Sequence, residues 1–253
     1  MRPTRWSHWS RWLLRVQWLL LAAIFIAGLA LRLGLMDYRP VFQVFKFAGL
    51  GAVGVALLSM LVFMWGLVKR HPDSRRNALW AMVLGLLPVA VPLLTVGRDN
   101  FDVPRIHDIT TDLRNPPKYE AVLSLRKKTD NSATYGGEAV AREQREADIY
   151  ADIHPLELAM PVDKATRLAA AVAHSLGWRV VSLQPARGHL EAVDRTRLLG
   201  FSDDVVVRVS AEKGGSRVDI RSSSRVGISD LGANARRIRK FLTEMQAQSH
   251  EVE

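Results

Sequence analysis

Apolar and polar positions follow one rule before residue 97 and another after it. In the first part apolar side chains form unbroken runs; in the second they alternate or recur at helical spacing. Residues 16–31 carry only Gln17 as a polar interruption, and the run extends through Arg32 to Met36. Residues 47–68 have Ser59 as their only polar side chain, and residues 78–96 contain no charge. A hydrocarbon layer about 30 Å thick takes roughly 20 apolar residues as a helix. Helix is also the form in which a single segment satisfies its own backbone groups in lipid. The pattern predicts three transmembrane helices, at about 13–36, 47–68 and 78–96, so that residues 1–96 form a membrane anchor. Taken alone, the first run also fits a signal peptide with Arg2, Arg5, Arg11 and Arg15 as its basic region. It lacks a small-residue cleavage site leading into a polar mature start, which favours a retained helix. Ala48, Ala52 and Ala56 make either a ridge for close helix packing or ordinary alanine content. Pro88 and Pro92 predict a bend in the third span.

Beyond residue 97 the pattern changes. Residues 97–118 are a polar approach segment with Gly97, Asp99, Asn100, Pro104, Pro116 and Pro117, and residues 127–145, with Gly136 and Gly137, read as an exposed loop. A short strand is predicted near 156–160. Asp163 is placed to cap a helix running to Leu176, with Ala165, Leu168, Ala169, Val172 and Leu176 on one face and Gly177 as its stop. Strands are predicted at 178–183, 189–196, 205–212 and 216–224, with Gly188, Gly200, Gly214 and Gly215 in the turns. Asp230 is placed to cap a last helix whose stripe is Leu231, Ala235, Ile238, Leu242 and Met245. Strands joined by short turns pair antiparallel. The fold class is therefore α+β: three N-terminal transmembrane helices, then residues 97–253 as a two-layer domain, an antiparallel sheet with two helices on one face.

Charge adds an orientation. The formal net charge is +10, which by itself suggests a nucleic-acid partner. Its location removes that reading, because residues 1–96 hold 11 Lys and Arg against 2 Asp and Glu, and the rest of the chain is nearly balanced. Arg2, Arg5, Arg11 and Arg15 precede the first span, and Lys69, Arg70, Arg75 and Arg76 lie between the second and third. The intervening loop has Arg32, Arg39 and Lys46, two of them abutting helix ends. The positive-inside rule then puts the N-terminus in the cytoplasm and the C-terminal domain outside it. That is an inner-membrane protein with a periplasmic domain in a Gram-negative bacterium. No carboxylate or histidine interrupts the middle of a span, so the helices read as an anchor rather than a transport path. The absence of cysteine excludes thiol catalysis and thiolate metal sites.

Candidate chemistry lies on the sheet. If Val218 and Ile220 face the helices, Arg217, Asp219 and Arg221 face away, with Arg225 just beyond. By the same alternation Val205, Val207 and Val209 point inward and Arg208 outward. Arg195 is expected on that face too, with Glu191 and Asp219 as counter-charges. Two readings fit: a solvated face of cross-strand ion pairs, or a platform for a carboxylate, sulfate or lipid phosphate. Gly227 and Gly232 flank the start of the last helix. Ser222, Ser224 and Ser229 add hydroxyls there, and Asn234 sits one turn inside. This is either an anion cradle or a turn capped by Asp230. His107 and Asp108 with a serine from 222–224 make a weak catalytic triad candidate, since adjacency in sequence does not orient an imidazole. Asp203 and Asp204 could ligate a cation, but neighbours on a strand point to opposite faces. No metal and no cofactor are predicted, and no phosphate-binding loop, zinc-binding or nucleophile-elbow motif is present.

The densest motif is Arg221-Ser222-Ser223-Ser224-Arg225-Val226-Gly227-Ile228-Ser229-Asp230-Leu231-Gly232-Ala233-Asn234, followed by Arg237-Ile238. With His107 through Asp112, Pro116-Pro117 and Asp203-Asp204, it resembles the domain of unknown function 1499 family of bacterial envelopes and plastids, over roughly residues 100–245. The three spans look like its membrane-anchored bacterial members. The resemblance implies a domain boundary and no established activity. The expected function is a non-enzymatic binding or interaction module, partnered by the lipid bilayer and by an anionic ligand or envelope protein, with no role for nucleic acid. A hydrolase of an envelope ester or glycan is the alternative, distinguished by whether His107, Asp108 and a serine converge.

Overall fold

The computed structural model describes residues 5–97, 103–196 and 198–251. The chain forms two compact units, Met1–Arg98 and Asp99–Glu253. Arg2 of the N-terminal flank and Asp99 and Asn100 of the approach segment lie outside the described residues.

The first unit holds α1 (Arg5–Arg32), α2 (Tyr38–Val68), α3 (Pro72–Gly85) and α4 (Leu87–Val96). With α3 and α4 taken together as Pro72–Val96, these are three helices long and apolar enough to cross a membrane. The first two extend further toward their N-termini than the apolar runs predict. The third span breaks at Leu86, where α3 ends and α4 begins. Pro88 has no N–H to return to the carbonyl of Leu84, and Pro92 repeats the loss one turn on. Helices α1, α2 and α3 pack on one another. Ala48, Ala52 and Ala56 are buried on α2, and a Cβ added to Gly85 of α3 would lie only 2.6 Å from the Ala52 carbonyl oxygen. The small residues therefore serve close backbone approach. Large apolar side chains point outward instead, Phe25 at 70% and Leu94 at 85% exposure. Water would penalise such a surface and lipid does not.

The second unit holds β1 (Asp108–Thr110), α5 (Gly137–Glu146), β2 (Leu156–Leu158), α6 (Val162–Ser175), β3 (Arg179–Gln184), β4 (His189–Arg195), β5 (Ser202–Glu212), β6 (Gly215–Ser224) and α7 (Ala233–Glu251). The sheet runs β1-β6-β5-β4-β3, and β2 also pairs with β6. Every pairing is antiparallel. The register sets Val207 opposite Ile220 and Arg208 opposite Asp219, so apolar and charged residues segregate to opposite faces as alternation requires. On the apolar face α6 contributes Ala165, Ala169 and Val172, and α7 contributes Ala235, Ile238, Phe241 and Met245. Phe241 stacks on Trp178 at 5.3 Å between ring centroids. The α+β class and the helical layer are those the pattern predicts.

Several local expectations are corrected. Pro161, not Asp163, holds the N-cap position of α6; Asp163 sits in the first turn, where its charge still complements the helix dipole. Phe241 belongs to the buried stripe of α7, while Leu231 precedes the helix with φ of 49°. The stretch 127–145 is not simply loop. It contains most of α5, whose Gln144 is buried and acts as a neighbour to the short strand β1. Gln144 accepts from the Thr110 N–H at 3.1 Å and donates to the Thr110 carbonyl at 2.8 Å.

The largest departure is the charged face of the sheet, most of which is covered, with Arg208 and Arg217 left part-exposed at its margin. An irregular segment, residues 111–135, lies over it. Tyr119 and Val122 pack with Val193 and Val206 into a second small core, joined by Leu125, Ala133 and Val181.

Candidate functional site

The covering segment has little regular structure beyond a 3-10 turn, Ala121–Leu125, so its carbonyls lack a ladder of their own. Buried carbonyls need donors, and arginines supply them. Arg221, 2% exposed, grips Asp108 with two bonds, Nε to Oδ1 at 2.8 Å and Nη2 to Oδ2 at 2.6 Å. It also donates to the carbonyls of Pro117 and Ala133 and lies 4.6 Å from the Tyr119 ring centre. Burial opposes the charge on Arg221, but the bonds to Asp108 outweigh it and hold the guanidinium above its ordinary range. Arg225 makes a bidentate pair with Asp204, Nη2 to Oδ1 at 2.6 Å, and donates to the Leu125 carbonyl. Arg126 reaches the other oxygen of Asp204 at 2.6 Å and the Asn131 carbonyl. Arg208 bridges Asp112 and Asp219, 2.9 Å from each, and donates to the Asn115 carbonyl. The segment is stapled to the sheet by guanidinium groups shared between carboxylates and main chain.

The other half of the motif faces α7. Ser222 donates to Asn234 Oδ1 at 2.7 Å and accepts from Arg237 at 3.0 Å. Asn234 Nδ2 donates to Ser224 Oγ and to the His107 carbonyl. Arg237 pairs with Asp203 at 2.5 Å and Asp194 at 2.7 Å. Burial pushes the Asp203 carboxyl up, against the pull of Arg237. At the start of α7, Asp230 accepts from the N–H groups of Gly232 and Asn234, at 3.0 and 2.6 Å, and Ser229 Oγ accepts from the Leu231 N–H. Gly227 and Gly232 take φ of 92° and 73°, the conformation that turns the chain from β6 into the helix. Asp230→Ala is expected to cost roughly 1 kcal/mol, as loss of a helix cap does, measured as a lower urea midpoint of the full chain in detergent.

The expected site residues thus come together as two networks on opposite faces of the sheet. Arg225, expected on the outward face beyond the strand, is the partner of a buried carboxylate, so its removal costs folding. Asp203 and Asp204 do point to opposite faces, and each is bonded to arginine, Asp203 to Arg237 and Asp204 to Arg126 and Arg225. Among the described residues no side-chain hydrogen bond joins His107 or Asp108 to a serine. The Ser224 N–H donates to the His107 carbonyl at 2.9 Å, but Asp108 is held by Arg221, Ser222 and Ser224 are held by Asn234, and His107 Nδ1 and Ser223 Oγ are buried without partners. Arg195 stands apart from the network and donates to the Gly200 carbonyl in its own turn.

One group of residues escaped the sequence reading. Beside the start of β4 lies a cavity of about 250 Å³, lined by Asn115, Pro116, Pro117, Lys118, Glu120, Arg187, Gly188, His189 and Arg208. Behind it Glu191, fully buried, accepts from the backbone N–H groups of Glu120, Ala121 and Val122, each at 2.9 Å. His189 Nε2 donates to the same carboxylate at 2.8 Å. Burial works against the Glu191 charge, but His189 and the three N–H groups prevail and hold its pKa below the usual carboxylate value. Glu120, His189 and Glu191 offer one ligand atom each within 4.8 Å of one another, a grouping of the size a metal ion needs. The signal in the sequence was His189-x-Glu191, two residues that alternation places on the charged face beside Arg208.

Residues 108–245 match the family described as Protein of unknown function (DUF1499). No curated protein matches the chain.

Proposed function

The chain belongs to the DUF1499 family of proteins of unknown function, and we propose that it is a membrane-anchored binding module of the bacterial inner membrane. Its N-terminus is cytoplasmic, its C-terminal unit periplasmic, and it acts by engaging an anionic ligand or an envelope protein rather than by turnover. The observation that carries the binding reading is the occupancy of the motif. Asp108, Asp203, Asp204, Ser222, Ser224, Arg221, Arg225 and Arg237 are bonded to one another, to Asn234 or to main chain, and the hydroxyl of Ser223 is buried without a partner, away from solvent. What the motif does is hold a sheet, a helix and an irregular cover together. Of the arginines first expected to meet an anion, Arg208 is the one that lines the cavity, so the anion-binding reading rests there. Three apolar helices of the lengths described support the anchor, and the Lys and Arg bias of the flanks supports the orientation.

Fusions after Glu253 test the arrangement. A reporter active only in the periplasm is expected to give signal, and one active only in the cytoplasm is expected to be silent. Cytoplasmic signal would reverse the orientation, and recovery of the protein in the soluble fraction would remove the anchor.

A further inference from the structure

We propose that the cavity beside the start of β4 binds a phosphate group carried on a small organic molecule or on a lipid headgroup. This deepens the binding reading above and rests on it. The lining contains the cations Lys118, Arg187 and Arg208 against one carboxylate, Glu120. Their chemistry is mixed in a useful way: Lys118 supplies a mobile point charge and Arg187 a forked donor that matches phosphate oxygens, while Arg208, whose two terminal nitrogens already donate to Asn115, Asp112 and Asp219, forms part of the fixed wall.

The site is also built, not merely charged. Gly188 has φ of 63°, and a Cβ there would lie 1.9 Å from the Val209 carbonyl oxygen. The turn into β4 is therefore pressed against β5 and cannot drift. Arg208 is fixed by Asp112, Asp219 and the Asn115 carbonyl. Glu191 fixes both walls, holding the backbone of Glu120 through Val122 on one side and the His189 ring on the other. Such positioning removes ordering cost from binding.

A cation fits this cavity less well, despite the grouping of Glu120, His189 and Glu191. Both oxygens of Glu191 already accept N–H groups, and the His189 nitrogen nearest it is used. Glu120 pairs with Arg187 at 3.2 Å, with the two side chains 49% and 61% exposed. An exposed pair of that kind contributes little to stability, so Arg187 can exchange Glu120 for a phosphate oxygen. About 250 Å³ leaves room beyond the phosphate for a short carbon chain, which would lie along Pro116 and Pro117.

The test uses the purified full chain, with glycerol 3-phosphate as probe and its phosphorus NMR line width as readout at fixed ionic strength. Wild type is expected to broaden the line, and the double variant Lys118→Glu, Arg187→Glu to bind roughly tenfold more weakly or worse. Both side chains are exposed, so the variant is expected to keep the wild-type melting temperature. Adding salt is expected to weaken binding. In nanodiscs, loss of the ester signal with phosphatidic acid but not with phosphatidylcholine would assign the phosphate to a lipid. Equal ester binding in both would assign it to a soluble molecule. Wild type that does not bind the ester, or a double variant that binds it as well, would overturn the assignment. So would stabilisation by Zn²⁺ that Glu120→Ala abolishes, in the absence of ester binding. A growing resonance of inorganic phosphate would instead keep the site and overturn the binding-only reading.

Discussion

Asp204→Ala is expected to destabilise the second unit by about 3–5 kcal/mol, the usual cost of stranding a buried charge. Asp204 is fully buried and receives Arg126 on one oxygen and the fork of Arg225 on both. Alanine would leave two guanidinium groups facing each other inside the protein without a counter-charge. The cost extends to the cover, because those arginines also hold the carbonyls of Leu125 and Asn131. The small core of Tyr119, Val122, Val193 and Val206 sits directly beside them. Protease cleavage across a urea series, read on the full chain in detergent, should show a lower midpoint, with first cuts within residues 111–135. Arg225→Ala should behave in the same direction, since it leaves half of Asp204 unpaired. A loss below 1 kcal/mol for Asp204→Ala would mean that water reaches these pairs and that they are surface-like.

The strands, the two main helices and the sidedness of the sheet were legible because burial on one face imposes a period of two on strands and 3.6 on helices. Val205, Val207, Val209, Val218 and Ile220 all lie in the core that this period predicts. The cover was not legible, because a 3-10 turn and irregular chain impose no long period. Its one trace is the spacing of three between Tyr119, Val122 and Leu125, which aligns side chains along a 3-10 turn. Nor does an alternating arginine announce where its partner is. The partner of Arg221 is Asp108, 113 residues away, and Arg126 and Asp204 are 78 residues apart. From the alternation alone, a solvated row of ion pairs and a buried staple read alike. Glu191 illustrates the same gap: alternation makes it a counter-charge to arginine, whereas it accepts three backbone N–H groups that no side-chain pattern reveals.

Glu191→Ala is the variant in which fold and candidate site fail together. Removing the carboxylate deprives the N–H groups of Glu120, Ala121 and Val122 of their acceptor. An unsatisfied buried donor costs about 1–3 kcal/mol, and with water reaching the partly buried donors the sum should be about 3 kcal/mol. The turn at 120–122 then loosens, His189 loses its anchor, and phosphate affinity should fall even though no lining charge has changed. Glu191→Gln should be milder, since one oxygen remains to accept. The pH dependence separates this role from packing alone. The folded-state pKa of Glu191 lies below its ordinary 4.5, so its stabilisation is fully present above that value. It fades as pH falls through the lower folded value, where the carboxylate takes up a proton. The gap in urea midpoint between wild type and Glu191→Ala should therefore be widest near neutrality and close in acid. A gap that stays constant down to acid pH would show that the side chain acts by filling space, and the carboxylate clamp would have to be abandoned.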